Sequence, residues 1–549
     1  MNFQSLLEHH AAQRPDAIAF YDIDQPVLYS ELLAESNRVA GLLFSHGLRT
    51  GDRLALWLPN CTAWLVTFMA CARLGVTVVS MNTRFRSREV GDLIARGKCQ
   101  WLVMWPTFKG LPFQQILNEV EPEQLKGLKA VMVVGGVEGV GGVGGVDTAG
   151  ASENPQRVQG VPSFSYSTPS QPDALKDAPQ AGGNAYALVY TTSGTTSQSK
   201  LVVHDQHTLI SHGHNVARYF GIGQDDVVLL GAPMCGAFGF STALSGLAVG
   251  APLVSSPILS PAECAAQIQN MHVTHTFANN ELLDRILDAA ENKDKPFPSL
   301  RVAGFASFAP SLEDLPQRAE HAGIKLVGLY GSSELQALTA GQPLDASLAE
   351  RQKPGGQLVA PDARVRARDI ETNEILPHGE VGEIEICTPS IMKGYLDNQE
   401  ATTKAIDAQG YFRTGDLGHT TSDQHFIFHA RRGDFLRLSG FLVNPLEIEN
   451  FIENLEGVAN CQVVGVPHQG KTVPVAFVIA KPGHHIQQAR IISDCKAQLA
   501  GFKVPVKVGI VESFPVVESA NSNKIQRGKL QEQAIEMLNK APRLDLPAR

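Results

Sequence analysis

The sequence lacks the features by which several protein classes are recognised. Its 549 residues carry 46 Lys and Arg against 55 Asp and Glu, a formal net charge of -9. Because nucleic-acid binding needs a surplus of basic side chains, this balance argues against a nucleic-acid-binding protein. The eight cysteines include no C-x-x-C pair. Their scatter favours reduced thiols in a cytoplasmic protein and argues against a zinc site.

Long apolar runs and a nucleotide-binding P-loop are also missing. The longest apolar run, Ala63–Ser80, is interrupted by Arg73 and Gly75, so it predicts a helix followed by a strand rather than a membrane span. The first ten residues contain no basic region followed by an apolar one, and we expect no secretory signal. The residues before Lys200 do not form the G-x-x-x-x-G-K-[ST] pattern, which disfavours a P-loop NTPase.

The composition that remains, 43% hydrophobic and 18% charged, is ordinary for a globular protein. The length favours several domains. Residues 28–47 carry a helical pattern of leucines, and 53–58 follow as a short apolar strand. The same order of helix and strand repeats through 62–81 and 88–104. Such alternation predicts an α/β sheet with helices on its faces.

A low-complexity segment interrupts this alternation at about residues 134–182. It begins with repeated Gly-Gly-Val units and continues with many Pro, Ser, Gln and Asp residues. We interpret it as an exposed, mobile insertion. A glycine-rich phosphate loop is the alternative, but its glycines repeat without a helix behind them.

The most informative stretch is Tyr190–Lys200. An apolar strand is predicted just before it, over 185–190. The stretch itself contains seven consecutive hydroxyl-bearing or glycine residues, Thr191–Ser197, around Gly194. Backbone N–H groups and hydroxyls in such a turn form a donor-rich nest, and Lys200 adds a positive charge suited to phosphate. The alternative is a Ser/Thr-rich surface linker. A linker does not explain the apolar segments on both sides.

The rest of the chain continues the α/β pattern and then changes. An apolar strand is predicted at 326–330, and short β segments follow over 354–395. Residues 431–434, Arg-Arg-Gly-Asp, have the composition of a hinge. A small α+β unit follows, whose first helix is predicted to start at Asn444–Glu447 with an N-cap and a proline.

Four stretches in this order resemble the adenylate-forming superfamily of acyl-CoA synthetases, nonribosomal-peptide adenylation domains and luciferases. They are TTSGTTSQSK (191–200), LYGSSE (329–334), YFRTGDL (411–417) and NKIQR (523–527). The segment at 430–449 supports them. The resemblance covers nearly the whole chain except the insertion.

The resemblance implies a fold and a reaction. It implies an α/β protein with a large N-terminal domain, residues 1–431, of mixed and parallel sheets flanked by helices plus a β segment. A small mobile α+β lid, residues 432–549, completes it. A carboxylate would attack the α-phosphorus of ATP to give an acyl-adenylate and pyrophosphate. After the lid rotates, a thiol would displace AMP.

The resemblance also assigns site residues. Lys524, Glu334 and Thr195 are the implied catalytic residues, and Glu334 is the implied Mg²⁺ ligand. Lys524 would reach the α-phosphate and the carboxylate oxygen. The implied ATP- and AMP-binding residues are Thr192, Ser193, Gly194, Thr195, Thr196, Lys200, Tyr330, Gly331, Ser333, Asp416 and Arg431.

These residues would divide the nucleotide among them. Thr192–Thr196 and Lys200 would hold the β- and γ-phosphates, and Tyr330 would offer a flat ring to adenine. Asp416 and Arg431 would bind the ribose. Taken alone, Thr-Gly-Asp is a common turn and a lysine in a polar tail is an ordinary solvated charge, so these assignments depend on the resemblance.

Some positions depart from the family pattern. Ser197 stands where the family usually has Gly, Ser199 where it has Pro, and Asn523 where it has Gly. Asn tolerates left-handed backbone geometry better than most residues, so that change is mild. The hinge position, often Asp or Lys, is Gly433, which permits rotation.

The acyl pocket is predicted from the segments at 233–240 and 305–310. Cys235, Gly236, Phe238 and Phe308 are its candidate residues. Further apolar wall is expected from Met234, Phe240, Phe277 and Phe305. No arginine is evident for a second carboxylate, so we expect an apolar medium-chain, aromatic or alicyclic monocarboxylate. Asn279 and Asn280 offer the alternative of a polar ring substituent.

By resemblance, Arg437 and Gly440 border the pantetheine tunnel, so coenzyme A is the expected acceptor. We therefore expect a cytoplasmic acyl-CoA ligase of fatty or aromatic acid metabolism that uses ATP, Mg²⁺ and coenzyme A. Its only expected partners are these small molecules and the acid, and a homodimer is left open. The alternatives are a stand-alone adenylation enzyme that loads a carrier protein and a degenerate adenylate-binding protein without turnover.

Overall fold

The computed structural model confirms the α/β architecture. It describes residues 1–107, 112–135, 157–171, 173–192, 200–290, 295–306, 314–431, 436–438, 441–443, 445–468, 471–518 and 523–539. Two large sheets and their helices fill the N-terminal part, and a small α+β unit follows.

The helices of these ranges vary from one turn to nearly five. They are α1 (Phe3–Gln13), α2 (Tyr29–Ser45), α3 (Thr62–Leu74), α4 (Ser87–Arg96), α5 (Phe113–Asn118), α6 (Pro122–Leu125), α7 (Gln206–Phe220), α8 (Ala237–Val249), α9 (Pro261–Asn270), α10 (Asn280–Ala289), α11 (Leu315–His321), α12 (Leu348–Arg351), α13 (Gln399–Ala405), α14 (Pro445–Glu453), α15 (Gln488–Gln498) and α16 (Arg527–Asn539).

The strands described up to residue 332 are β1 (Ile18–Asp22), β2 (Gln25–Leu28), β3 (Arg53–Trp57), β4 (Thr77–Ser80), β5 (Trp101–Met104), β6 (Ala130–Val133), β7 (Arg157–Val158), β8 (Val161–Ser165), β9 (Tyr186–Thr191), β10 (Leu201–Asp205), β11 (Val228–Gly231), β12 (Leu253–Ser255), β13 (His275–Asn279), β14 (Val302–Ala306) and β15 (Lys325–Ser332).

The later strands are β16 (Gln336–Gly341), β17 (Gly355–Leu358), β18 (Arg364–Arg368), β19 (Ile375–Leu376), β20 (Val381–Cys387), β21 (Gly394–Tyr395), β22 (Phe412–Ser422), β23 (His425–Arg431), β24 (Leu436–Leu438), β25 (Phe441–Val443), β26 (Val458–His468), β27 (Lys471–Ala480), β28 (Lys507–Ile510), β29 (Val516–Glu518) and β30 (Asn523–Ile525).

The first large sheet has nine strands in the order β21-β10-β9-β4-β3-β5-β6-β8-β7. Its centre is parallel, because α3, α4 and other crossover segments connect successive strands. The predicted helix and strand within 62–81 are confirmed as α3 and β4. At one end β10 runs antiparallel to both β9 and β21, which places the candidate phosphate turn between two paired strands.

The second sheet has fourteen strands and changes character along its width. Strands β11 to β15 are parallel neighbours, whereas β15 to β20, β22 and β23 form antiparallel pairs. Of the short β segments predicted over 354–395, β17 to β20 belong to this antiparallel half, whereas β21 belongs to the first sheet. The C-terminal unit contains the three-stranded sheet β26-β27-β28 and the helices α14 to α16.

Part of the predicted insertion is regular structure. Strand β8 pairs in parallel with β6, and β7 pairs with β8. The interpretation of 134–182 as an exposed, mobile insertion is therefore wrong for 157–165, because the open edge of β6 supplies hydrogen-bonding partners to this segment. The Gly-Gly-Val repeats at 136–156 lie outside the described residues.

The helices α7 and α8 pack closely where Gly213 lies. Asp205 caps the start of α7 by accepting a hydrogen bond of 2.8 Å from the backbone N–H of Thr208. A Cβ atom at Gly213 would lie 2.5 Å from the carbonyl oxygen of Leu244 in α8. The close contact therefore depends on the absence of a side chain at Gly213.

No helix within the described ranges is both long and apolar enough to cross a membrane. The eight cysteines all lie in described ranges and are free thiols, and seven of them are buried.

We predict that Gly213→Ala lowers the free energy of unfolding by about 1–3 kcal/mol, the usual cost of overpacking. On an open helix face the same change stabilises by roughly 0.5–1 kcal/mol, so the sign tests the contact. Urea unfolding followed by tryptophan fluorescence is suitable, because all four tryptophans lie within residues 57–105.

The matched control is Gly223→Ala, where an added Cβ would meet only the Asp226 carboxylate at 3.8 Å. It should change the free energy of unfolding by less than about 0.5 kcal/mol. Equal effects of the two substitutions would contradict the prediction.

Candidate active site

The two ends of the candidate phosphate turn meet at Thr192 and Lys200. The N–H of Thr192 donates to the Lys200 carbonyl at 3.0 Å, and the N–H of Lys200 donates to Thr192 Oγ1 at 3.0 Å. These bonds extend the β9–β10 hairpin by one pair. Of the predicted phosphate-binding residues, Ser193, Gly194, Thr195 and Thr196 lie outside the described residues, as do Ser197 and Ser199.

Lys200 and Glu334 meet on opposite parts of one tyrosine. The Lys200 Nζ atom lies 4.6 Å from the ring centroid of Tyr395. The hydroxyl of Tyr395 donates to Glu334 Oε1 at 2.9 Å. The structure thus brings the predicted phosphate cation and the predicted metal carboxylate together, although 134 positions separate them in the sequence.

The backbone beside Glu334 is held by a buried histidine. His204 Nε2 lies 2.8 Å from the Ser333 carbonyl oxygen, and because a carbonyl only accepts, Nε2 carries the proton. Burial lowers the pKa of His204 to about 4, so the ring is neutral near pH 7. His204 therefore connects β10, four residues after Lys200, to the turn that carries Glu334.

Behind this turn the backbone is strained. Gln336 and Leu338 have φ values of 62° and 63°, in the left-handed region that costs a non-glycine residue roughly 1–3 kcal/mol. The Gln336 amide donates to the carbonyls of Thr208 and Ser390 at 3.1 and 3.3 Å. These buried bonds offset the strain and fix the segment after Glu334.

Gly331 is required by a close approach of strands. An added Cβ would lie 2.6 Å from the Cα atom of Ala337, and backbone atoms cannot move aside easily. The β15–β16 hairpin thus explains the glycine in LYGSSE without a ligand. Binding of nucleotide by Gly331 and Ser333 stays a prediction.

Asp416 is the centre of a second group. The Tyr330 hydroxyl donates to Asp416 Oδ2 at 2.5 Å, and Arg431 Nη1 donates to Oδ1 at 2.7 Å. Burial, then the Asp416 charge, raises the pKa of Tyr330. Each carboxylate oxygen keeps a further lone pair, so Asp416 can still accept hydrogen bonds from a pair of hydroxyl groups.

Tyr330 itself is 9% exposed and packs edge-on against Phe426, with ring centroids 5.0 Å apart. Its hydroxyl bonds to Asp416, and stacking of the ring on adenine stays a prediction. Arg431 is more accessible, with 58% of its side chain exposed.

The two groups lie within electrostatic range of each other. Burial lowers the pKa of Arg431, but the charge of Asp416 and, to a smaller extent, the charge of Glu334 raise it, so that the pKa of Arg431 is raised overall. The Arg431 charge also acts on Tyr395. One region of the surface therefore combines the Lys200 amine, an arginine and two carboxylates, the charges needed to bind a nucleoside triphosphate with its cation.

Glu334 suits a Mg²⁺ site that is completed by substrate phosphates. Among the described residues, no group of three or more His, Cys, Asp and Glu side chains is arranged to hold a metal alone. Protein-bound Mg²⁺ commonly uses one or two carboxylates together with substrate phosphates. A half-buried Glu334, with one oxygen fixed by Tyr395, fits that kind of shared site.

The candidate acyl segment follows β11 and is fixed from behind. Asn60 donates to the Ala232 carbonyl at 3.2 Å and accepts from the Met234 N–H at 2.7 Å. The Ser80 hydroxyl donates to the Cys235 carbonyl at 2.8 Å. Gly236, the N-cap of α8, is half-exposed. The segment is therefore rigid on its inner side.

Cys235 and Phe238 are 7% and 6% exposed. Burial raises the pKa of the Cys235 thiol to about 12, so the thiol is neutral and apolar. Small accessible areas of this kind suit the wall of a narrow pocket. Phe308 lies outside the described residues.

Two predicted wall residues belong to the core. Phe240 is fully buried against Phe68, with ring centroids 4.8 Å apart, and Phe277 packs on Phe220 at 4.9 Å. Their assignment to the pocket is wrong in this structure, because these rings pack between helices and strands. Met234 is likewise fully buried.

Asn279 and Asn280, the alternative ligands for a polar substituent, already make structural contacts, and their binding of a substrate stays a prediction. Asn279 Oδ1 accepts from the Leu282 N–H at 2.8 Å and caps α10. Asn280 is 4% exposed, and its Oδ1 accepts from the Glu281 N–H at 3.1 Å. Both amides therefore have structural uses at the helix start.

In the C-terminal unit, Lys524 lies in β30 and Arg437 in β24; the backbone of both is described. Gly433 and Gly440 lie outside the described residues. Next to Lys524, Arg527 at the start of α16 donates to the buried Glu449 at 2.9 Å. Burial raises the pKa of Glu449 to about 7 against the effect of Arg527.

Sequence reasoning missed Tyr395 and His204. Tyr395 follows Lys-Gly in an unremarkable apolar segment, and no pattern links it to Lys200. His204 is one of several histidines after the phosphate turn. Its place on an otherwise apolar strand was the available signal, since a buried histidine needs a partner.

Comparison with known proteins identifies the family. The family model described as AMP-binding enzyme matches residues 7–396, and the one described as AMP-binding enzyme C-terminal domain matches residues 447–521. Together they cover both parts of the fold. They confirm the resemblance first recognised in the motifs.

Individual relatives agree. A 3-[(3aS,4S,7aS)-7a-methyl-1,5-dioxo-octahydro-1H-inden-4-yl]propanoyl:CoA ligase of Rhodococcus jostii is 28% identical over 537 residues, 96% of this chain and 98% of the relative. ATP-bound MatB from Rhodopseudomonas palustris has the same fold, with a TM-score of 0.78, 24% identity and coverage of 98% and 100%.

A third similar protein is the o-succinylbenzoate coenzyme A synthetase MenE of Bacillus subtilis, solved with ATP and a magnesium ion. It has a TM-score of 0.76 and 22% identity, with coverage of 96% of this chain and 98% of that one. The chain therefore belongs to the AMP-binding enzyme family, among the acid–thiol ligases that are acyl-CoA synthetases.

Proposed function

We propose that this protein activates an apolar monocarboxylic acid with ATP and transfers the acyl group to coenzyme A. The observation that carries the proposal is the convergence of Lys200, Glu334 and the Asp416–Arg431 pair on one region. Membership of the acid–thiol ligases supplies the reaction class.

In the first step a carboxylate oxygen attacks the α-phosphorus, and the bond from that phosphorus to the bridging oxygen breaks, releasing pyrophosphate. Two anions must approach each other, so positive charge and fixed donors carry the catalysis. Lys200 and the adjoining turn would bind the terminal phosphates, and Asp416 with Arg431 would bind the ribose. Bound Mg²⁺, held through Glu334, would supply further positive charge.

In the second step the thiol of coenzyme A attacks the acyl carbon, the bond to AMP breaks, and the thiol proton passes to solvent. A C-terminal lid, residues 432–549, would rotate about Gly433. The rotation would move Lys524 out of the active site and bring in the segment with Arg437 and Gly440. Gly433 suits a hinge because glycine has broad backbone freedom.

The acid is proposed from the segment after β11. The small residues Cys235 and Gly236 leave room beside the Phe238 ring, and Cys235 is neutral. An alicyclic acid is favoured within the apolar class, because the Rhodococcus jostii relative is named for a fused-ring propanoyl group.

The activity is tested with a panel of chain, aromatic and alicyclic monocarboxylic acids and one diacid. Pyrophosphate release is measured with ATP and Mg²⁺, and acyl-CoA formation is detected by mass. We expect the highest kcat/KM in both assays with alicyclic or aromatic acids. Release without acyl-CoA would favour a carrier-loading enzyme. No release with any acid would favour a protein without turnover.

Lys524→Ala should reduce acyl-adenylate formation by about 10²–10³, the effect of losing one preorganised donor to the reacting oxygens. Thioester formation from supplied acyl-adenylate should stay close to the wild-type rate, because the lid has moved Lys524 away in that step. Single-turnover measurements of each half-reaction separate the two.

The control is Lys529→Ala, which removes an exposed lysine five residues further on. It should leave both half-reactions within a factor of two or so, as expected for a surface substitution. If Lys524→Ala leaves both half-reactions unchanged, the assignment of Lys524 is wrong.

Asp416→Asn should remove most discrimination between ATP and 2′-deoxy-ATP. A hydrogen bond from the ribose 2′-hydroxyl to the Asp416 carboxylate would favour ATP by about tenfold. In the variant, the new amide group would point an N–H donor towards Arg431 or Tyr330, which are donors themselves. The measurement is the ratio of kcat/KM for the two nucleotides in pyrophosphate release.

As a control, Asp226→Asn alters a carboxylate that pairs with Arg301 elsewhere, and it should keep the wild-type ratio. An unchanged ratio in Asp416→Asn would count against ribose binding by Asp416.

A further inference from the structure

Tyr395 contacts both charged groups of the proposed triphosphate site. Its hydroxyl donates to Glu334 Oε1 at 2.9 Å, and its ring centroid lies 4.6 Å from Lys200 Nζ. The side chain thus has an anion at its polar end and a cation at its ring.

Backbone hydrogen bonds contribute to holding Tyr395 in this place, and its side chain, 7% exposed, packs in the core. Strand β21 pairs with β10, with Tyr395 opposite Val202. The Leu396 N–H donates to the Leu201 carbonyl at 2.8 Å, and the Tyr395 N–H donates to Thr402 Oγ1 at 2.9 Å. Tyr395→Phe, which keeps the ring in the core, should therefore leave the strand where it is.

The hydroxyl bond orients the carboxylate. A hydrogen bond to an ionised group is short and strong, and here it occupies Oε1 and leaves Oε2 for a cation. Glu334 is half-buried, and the described side-chain donor to its Oε1 atom is the Tyr395 hydroxyl.

The ring keeps the two charges apart. No ion pair joins Lys200 to Glu334 in the part of the chain that the structure describes, although both contact Tyr395. A cation over an aromatic face is attracted by the ring quadrupole, which gives the Lys200 amine a partner other than the carboxylate. Lys200 thus stays available for phosphate and Glu334 for Mg²⁺.

We propose that Tyr395 is a positioning residue for MgATP. Through its hydroxyl it presents Glu334 to the metal, and through its ring it presents Lys200 to the terminal phosphates while preventing a lysine–carboxylate pair. The inference rests on the proposed function of this site and adds a residue to it.

Two variants separate the hydroxyl from the ring. Tyr395→Phe keeps the ring and should raise the Mg²⁺ concentration needed for half-maximal ATP binding by about tenfold, as expected for a lost bond to a charged group. Tyr395→Leu should show the same change and a further loss of about two- to fivefold in ATP affinity at saturating Mg²⁺, the size of an exposed cation–π contact.

Binding is measured by titration calorimetry with ATP at several Mg²⁺ concentrations and with AMP. AMP lacks the phosphates that Lys200 and Mg²⁺ would contact, so both variants should bind it within about twofold of the wild-type affinity. The control Tyr219→Phe removes a different hydroxyl bond, 2.7 Å to the Gly341 carbonyl, and should leave the Mg²⁺ dependence unchanged.

Equal loss of ATP and AMP affinity in Tyr395→Phe would overturn the inference, since it would mean general damage to the site. An unchanged Mg²⁺ dependence would also overturn it. These measurements need neither acid nor coenzyme A. Absence of turnover in the acid panel would therefore refute the proposed function while the binding result still decides the role of Tyr395.

Discussion

The pairing of β10 with β9 on one side and β21 on the other determines the candidate site. The β9 pairing closes the phosphate turn at Thr192 and Lys200. The β21 pairing sets Tyr395 opposite Val202, two positions from Lys200. Because register along a strand is fixed in steps of one residue and each step reverses the side chain, a slip of one position would turn Tyr395 away from Lys200. The charges of the site thus depend on backbone hydrogen bonds formed between distant parts of the sequence.

A buried polar network supports the other half of the site. His204 bonds to the carbonyl of Ser333, and Gln336 bonds to two carbonyls behind the same turn. Buried polar groups of this kind are costly when unpaired and rigid when paired. The strained backbone at Gln336 persists because these bonds hold it. Such rigidity is what electrostatic catalysis requires, since donors that are already in position need no reorganisation during the reaction.

Much of the fold was predictable because it depends on local patterns. The α3–β4 unit and the strand before the candidate phosphate turn follow from apolar periodicity and turn residues, and motifs predicted Lys200, Glu334 and Asp416 as site residues. The rest depends on long-range packing. Residues 157–165 form strands because β6 offers a free edge, and Phe240 and Phe277 are core rings because of their neighbours in space. Tyr395 was not predictable, because its importance arises from a strand pairing between positions about 190 residues apart.

A contact inside the C-terminal unit bears on the proposed rotation of that unit. Arg527 donates to the buried Glu449, and the Val463 N–H also donates to Glu449 at 2.7 Å. These bonds fix the start of α16 to α14 and β26, three residues after Lys524. If Lys524 reaches a reacting oxygen as proposed, a rigid support is an advantage, because a misplacement of about 1 Å can cost 10²-fold in rate. If a hinge at Gly433 moves the unit, these bonds make Lys524 move with the whole unit, so that rotation changes which residues face the nucleotide without loosening any of them.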